Sequence, residues 1–178
     1  MKIKVDQIKA EATPLSYVEA VDGLNARLTV GAPDFRVAEG IAVDLTHYRA
    51  GLDLFFTGTL RGAVIGTCAR CAEDYTFHLD TPFTFVLAPR ATDAEGGDPE
   101  LAADDLAFSF FEGEEIDLSP LVHEQTILAL PTRPLCREDC RGLCPRCGAN
   151  LNSGPCGCPA DTPDPRLSVL RTLLRSDH

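Results

Sequence analysis

From Ile41 the chain alternates apolar with polar or small residues at a period of two: Ile41, Val43, Leu45 and His47, then, past Arg49-Ala50-Gly51, Leu52, Leu54, Phe56 and Gly58. Successive side chains of a strand point to opposite faces, so this pattern predicts two half-buried strands joined by a turn. Ala63 to Gly66 reads as a third strand running into Cys68-Ala69-Arg70-Cys71, which can serve as a hairpin turn. Tyr75 to Ala88 is the fourth, with Phe77, Leu79, Phe83, Phe85 and Leu87 spaced in twos. Pro82 marks a bend or an edge there, because proline offers a sheet no N–H. Ala26-Thr29 and Phe108-Phe111 are candidate further strands. The expected fold class is α+β, mainly β, with an antiparallel meander or barrel-like sheet at its centre.

Two helices are expected. Ser119 suits an N-cap with Pro120 at the first helical position, and Leu121, Val122, Gln125, Leu128 and Ala129 share a face until Pro131, which predicts a helix over 119–130 covering the sheet. A short one follows Asp164-Pro165, from Arg166 to Arg175, with Leu167, Leu170, Leu173 and Leu174 as a packing stripe.

Charge is uneven. The 178 residues carry net charge −11; residues 131–178 stand at +2 and residues 1–130 at −13. From Ala91 to Thr132 there is no Lys or Arg, and the acidic loop 91–117 within this stretch repels phosphate. The body is therefore a poor direct binder of nucleic acid, and a basic protein partner suits it better.

Cysteine changes the picture most. Cys136, Cys140, Cys144, Cys147, Cys156 and Cys158 crowd one stretch, and Cys68 and Cys71 lie upstream. A C-x2-C turn delivers two thiolates to one ion at small entropic cost, and zinc takes four such ligands in a tetrahedron. Cys144-Pro145-Arg146-Cys147-Gly148 has that form, with Gly148 free to adopt the positive φ the turn requires; Cys156 and Cys158 complete the set. Cys68 and Cys71 need a second pair, which Cys136 and Cys140 supply, although one ion drawing on the six C-terminal cysteines alone remains the other partition. One or two zinc ions are thus expected. The chain divides into a β-rich domain over 1–131, a Cys-rich zinc-binding segment over 132–160 and a C-terminal helix over 161–178 packing back on the body.

The N-terminal stretch MKIKVDQIKAEATPLSY shows no apolar h-region, so a reducing, cytoplasmic location is expected, where thiols bind metal instead of pairing. No run approaches the ~18 apolar residues of a membrane span. All-cysteine tetrahedra leave no open position for a reacting water, the four histidines do not cluster, and no H-E-x-x-H, P-loop or G-x-S-x-G motif occurs; the expectation is that the protein is not an enzyme. His123-Glu124 reads as an ordinary pair at a helix's polar edge.

The run LALPTRPLCREDCRGLCPRCGANLN, a following C-x-C and DPRLSVL, the upstream C-x-x-C and the IDLSPLVHEQTILALP helix together resemble the YceD family, the large ribosomal RNA subunit accumulation proteins. The resemblance covers most of residues 40–175, and this chain carries the full C-terminal cysteine array that shorter-cysteine members lack. It implies a bacterial or plastid factor needed for large-subunit rRNA to accumulate, with a ribosomal protein or large-subunit precursor as partner. Arg133, Arg137, Arg141 and Arg146 are the candidate rRNA contacts, unless they only neutralise thiolate charge. A thiol-redox or metal-handling role for Cys68 and Cys71 is the alternative. Oligomeric state is not legible.

Overall fold

The structure is a computed structural model and describes residues 1–90 and 108–159. Its elements are β1 (Lys2–Lys4), a 3-10 turn (Val5–Gln7), β2 (Thr13–Glu19), α1 (Val21–Gly31), β3 (Phe35–Val37), β4 (Ile41–Ala50), β5 (Asp53–Thr67), β6 (Asp74–Pro89), β7 (Phe108–Phe111), β8 (Glu115–Asp117) and α2 (Ser119–Leu128). The protein is mainly β. Six strands form one sheet in the order β2-β4-β5-β6-β7, with β3 also on β5. Strands β4, β5 and β6 are the meander; β7 joins β6 in parallel. Among the described residues no pairing joins β2 to β7, so the open meander describes the sheet better than a closed barrel.

Alternation sets which face is buried. Ile41, Val43, Leu45 and His47 of β4, Leu54, Phe56, Leu60 and Val64 of β5, and Leu79, Phe83, Phe85 and Leu87 of β6 are buried. Phe56 stacks on Phe85 at 4.9 Å between ring centres. Both helices close this face, with Leu24 and Leu28 of α1 and Val122 of α2 in the same core.

Several expectations are corrected. The second and third strands are one strand, β5. Gly58 falls mid-strand because a Cβ there would collide with Asp44 O and Leu45 Cα, so its missing side chain admits the neighbouring strand. Leu52 lies outside β5, 76% exposed. Ala26–Thr29 is helical, within α1. Its β-branched and glycine neighbours are weak helix formers, yet burial of Leu24 and Leu28, one turn apart, overrides propensity. Asn25 extends the arrangement by exchanging two hydrogen bonds of 2.8 Å with the backbone of Val37 in β3.

Ser119 is the first residue of α2 and not its cap. Leu118 precedes it in αR geometry, Asp117 Oδ1 accepts the Ser119 N–H, and the Ser119 hydroxyl accepts from the Met1 ammonium. The buried face of α2 is Val122, His123 and Thr126, while Leu128 is 70% exposed. Glu115–Asp117, read as acidic loop, forms β8, where Glu115 and Asp117 face Lys4 and Lys2 of β1. Pro82 lies in β6 beyond the four residues β7 pairs with. The acidic stretch 91–107 and the helix expected over 166–175 lie outside the described residues.

Candidate metal centres

The β5–β6 turn and the segment after α2 together build two sulfur clusters. Cys68, Cys71, Cys136 and Cys140 form one; Cys144, Cys147, Cys156 and Cys158 form the other, and within each all four sulfurs lie within 4.8 Å of one another. A tetrahedron with zinc–sulfur distances of about 2.3 Å has edges of about 3.8 Å. Cys68 Sγ to Cys140 Sγ is 3.8 Å, and Cys71 Sγ to Cys136 Sγ is 3.8 Å. Disulfides require about 2.0 Å, and all eight cysteines are free. The donor set and spacing therefore fit a tetrahedral thiophilic ion at both places, with the fourth corner filled by sulfur.

The two C-x2-C turns share one backbone pattern. Ala72 N–H donates to Cys68 O and Gly148 N–H to Cys144 O, both at 2.9 Å; Cys68 N–H donates to Glu73 O at 2.9 Å and Cys144 N–H to Ala149 O at 2.8 Å. The residue after the second cysteine has φ 57° at Ala72 and 71° at Gly148. This winding turns N–H groups toward sulfur, which stabilises thiolate. Burial pushes the Cys68 thiol up, but N–H groups of Cys136, Cys71 and Arg70 outweigh it and bring it down to about 6. N–H groups of Cys147 and Arg146 bring Cys144 down to about 6. Their neighbours move the other way. Burial and adjoining sulfurs push Cys136 up to about 12, and Cys147 followed by burial does the same to Cys158. Four sulfurs so close cannot all ionise without a cation to share.

Three residues that sequence reasoning missed hold the clusters together. Asn152 Nδ2 donates to Cys140 Sγ at 3.3 Å, and its Oδ1 accepts from Arg137 Nη2 and Arg141 N–H, each at 2.8 Å. The Asn152 amide is the largest influence lowering the Cys140 thiol. Asn150 donates to Glu73 Oε1 at 2.7 Å, tying the second cluster's loop to the first turn. Arg70 Nη1 donates to Cys140 O at 2.7 Å and Glu138 O at 3.3 Å. The only sequence signal is Asn-Leu-Asn after the second turn.

Arg133, Arg137, Arg141 and Arg146 are all exposed on this segment. Arg137 also pairs with Asp139 at 3.3 Å, so part of its role is internal. His123 is not at a polar edge: it is buried, and its Nε2 lies 3.1 Å from Oε1 of buried Glu19 in β2, not beside Glu124. Side chains at i and i+1 on a helix diverge, whereas α2 packs over the end of β2.

An antiparallel sheet whose central hairpin turn joins a C-terminal segment in two four-cysteine clusters defines a small β protein with paired cysteine-turn centres. The chain belongs to the YceD family, described as large ribosomal RNA subunit accumulation protein YceD, which matches residues 56–174. An uncharacterized protein of Mycobacterium tuberculosis is 29% identical over 174 residues, 96% of this chain and 80% of that one. The chloroplastic large ribosomal RNA subunit accumulation protein YCED homolog 1 of Arabidopsis thaliana is 24% identical over 177 residues, 84% of this chain and 53% of its own length. The uncharacterized protein YlbN of Bacillus subtilis is 28% identical over 125 residues, 68% of this chain and 67% of its own. No solved structure matches. Among the described residues no helix is long and apolar enough to cross a membrane.

Proposed function

We propose that this protein is a non-enzymatic ribosome biogenesis factor that supports accumulation of large-subunit rRNA by binding a ribosomal protein or a large-subunit precursor in the cytoplasm. Family membership carries this reading, since the family and its plant members are named for large ribosomal RNA accumulation. Zinc at Cys68, Cys71, Cys136 and Cys140, and at Cys144, Cys147, Cys156 and Cys158, would fasten the segment that presents Arg133, Arg137, Arg141 and Arg146 to rRNA phosphate. Sulfur at all four corners of each cluster supports a structural role for the metal, because catalysis needs a coordination position open to water or substrate. A redox role for Cys68 and Cys71 fits poorly: they are 2 and 3% exposed, while reactive thiols are accessible.

The test is sedimentation of ribosomal particles from cells that depend on this chain. Depletion should lower large-subunit rRNA relative to small-subunit rRNA, and the tagged protein should travel with large-subunit precursors. Replacing the four arginines by serine should weaken that association and flatten its salt dependence. Unchanged rRNA ratios on depletion would sink the reading.

A further inference from the structure

The two sulfur clusters are covered very differently. Cys68, Cys71 and Cys140 are 2, 3 and 2% exposed, Cys136 is half-buried, and Leu135 and Tyr75 pack on them. In the other cluster Cys144 alone is buried, Cys156 and Cys158 are half-buried and Cys147 is exposed. A solvent-open cavity of about 200 Å³ reaches that cluster, lined by Cys144, Cys156 and Cys158 with Arg146, Leu151 and Pro159. Sulfur oxidation and ligand exchange both require an attacker to touch sulfur or metal, so access orders the two clusters.

We propose that Cys144, Cys147, Cys156 and Cys158 form a peroxide-sensitive, exchangeable metal site, and that Cys68, Cys71, Cys136 and Cys140 form a permanent one. The proposal rests on the reading that both clusters hold zinc. The exposed Cys147 thiolate attacks one oxygen of hydrogen peroxide; the O–O bond breaks, a sulfur–oxygen bond forms and hydroxide leaves. A second thiolate of the same cluster, within 4.8 Å, then attacks that sulfur, forming the disulfide and expelling the second hydroxide. The two sulfurs lose two electrons in total, peroxide gains them, and two protons from solvent convert the hydroxides to water. Zinc keeps its oxidation state and leaves, because the two remaining thiolates cannot retain it against water. A thiol reductant and added zinc reverse the change.

The first cluster persists because its ligands belong to two chain regions held by other bonds. Ala69 N–H donates to Pro134 O at 2.8 Å, and Arg70 clamps the Cys140 carbonyl. The link that does weaken is Asn152, which sits in the second cluster's loop and donates to Cys140 Sγ. Oxidation is therefore expected to free residues 144–158, with Arg146 on them, while leaving the β5–β6 turn fastened.

The full-length protein, purified under reducing conditions, is weighed by native mass spectrometry and then titrated with hydrogen peroxide while released zinc is followed by a chromogenic chelator. Two equivalents should be present at the start. One should leave in a distinctly faster phase than the other, as expected from the difference in access. Peptide mapping after quenching should place the disulfide among Cys144, Cys147, Cys156 and Cys158, with the other four cysteines alkylated only after denaturation. Cys147→Ser should remove the fast phase and leave the slow one. Release of both equivalents in one phase, or oxidation of Cys68 or Cys136 first, would overturn the proposal. Zero zinc before any peroxide is added would overturn the zinc reading beneath it, a distinct result.

Discussion

In the β body, twenty buried apolar residues from β1 to α2 form one cluster, whereas between Pro131 and Pro159 the buried residues are Pro134, Cys140, Gly142 and Cys144. The first region can order itself by removing apolar surface from water. The second has little such surface to remove and relies on turns, side-chain amides and sulfur. The same chain thus contains one part whose stability is written in alternation and another whose stability is written in ligand chemistry.

Metal removal should separate the two regions most sharply. A structural zinc contributes on the order of 10 kcal/mol in small peptides, and zinc at the two cysteine clusters would concentrate that energy outside the core. After treatment with a strong chelator, amides of residues 134–158 and of the 68–73 turn should exchange hydrogen within seconds, while amides at the centre of β4, β5 and β6 keep their protection. Loss of protection everywhere at once would show that the body has no stability of its own.

The converse probe is Phe56→Ala. Phe56 is fully buried and stacked on Phe85, and removing such a ring costs about 3–5 kcal/mol. The urea midpoint should fall accordingly while zinc stoichiometry in the folded protein stays unchanged. A loss of metal at equal folded fraction would mean that the regions are not separable.

His47 gives a smaller effect with a definite sign. It occupies an inward position of β4, 4% exposed, with no hydrogen-bond partner for Nδ1 among the described residues, and burial lowers its pKa below the ordinary 6.5. A histidine buried neutral stabilises the fold relative to its protonated form, so this contribution is present above pH 6.5 and is lost as pH falls below it. Replacing His47 by Leu removes an unsatisfied buried nitrogen, worth about 1–3 kcal/mol, and should flatten the loss of stability between pH 7 and 5. Parallel pH profiles of wild type and variant would contradict this.

What the sequence revealed follows the same division. Period-two alternation located β4 and β6 and both ends of β5, which it split where Gly58 and Gly62 interrupt the buried face. Cysteine spacing gave the two fours that the sulfurs form as one of two partitions, because a C-x2-C turn is local chemistry. Strands β1, β3 and β8 have three residues each, too short for a period, and are held by partners far along the chain. Helix α1 was hidden by Gly23, Thr29, Val30 and Gly31, which read as breakers or strand formers until the burial of Leu24 and Leu28 is known. His123 was misread because its partner, Glu19, lies 104 residues away. Asn152 was invisible for a related reason: an amide that bonds to sulfur carries no spacing rule.

The finest test lies within the cysteine turns themselves. Both turns place the residue after their second cysteine at positive φ, but one uses glycine and the other alanine. A residue with a Cβ pays about 1 kcal/mol to sit there, and glycine does not. No described residue lies within 4 Å of a Cβ built on Gly148, so Gly148→Ala adds conformational strain without a clash among them. The alanine also narrows the freedom of the unfolded chain by about 0.4–1 kcal/mol, which offsets most of that strain, so zinc affinity at the second cluster should fall by less than about twofold. The reciprocal change, Ala72→Gly, relieves the same strain but enlarges the freedom of the unfolded chain by about 0.4–1 kcal/mol. The two contributions nearly cancel, so affinity at the first cluster should move by less than about twofold. Competition titrations against a chelator of known affinity would measure both. A roughly fivefold loss at the second cluster with a fivefold gain at the first, the equivalent of about 1 kcal/mol each way, would mean that the unfolded turn is already restrained, as it would be if cysteine turns keep their winding after the metal has left.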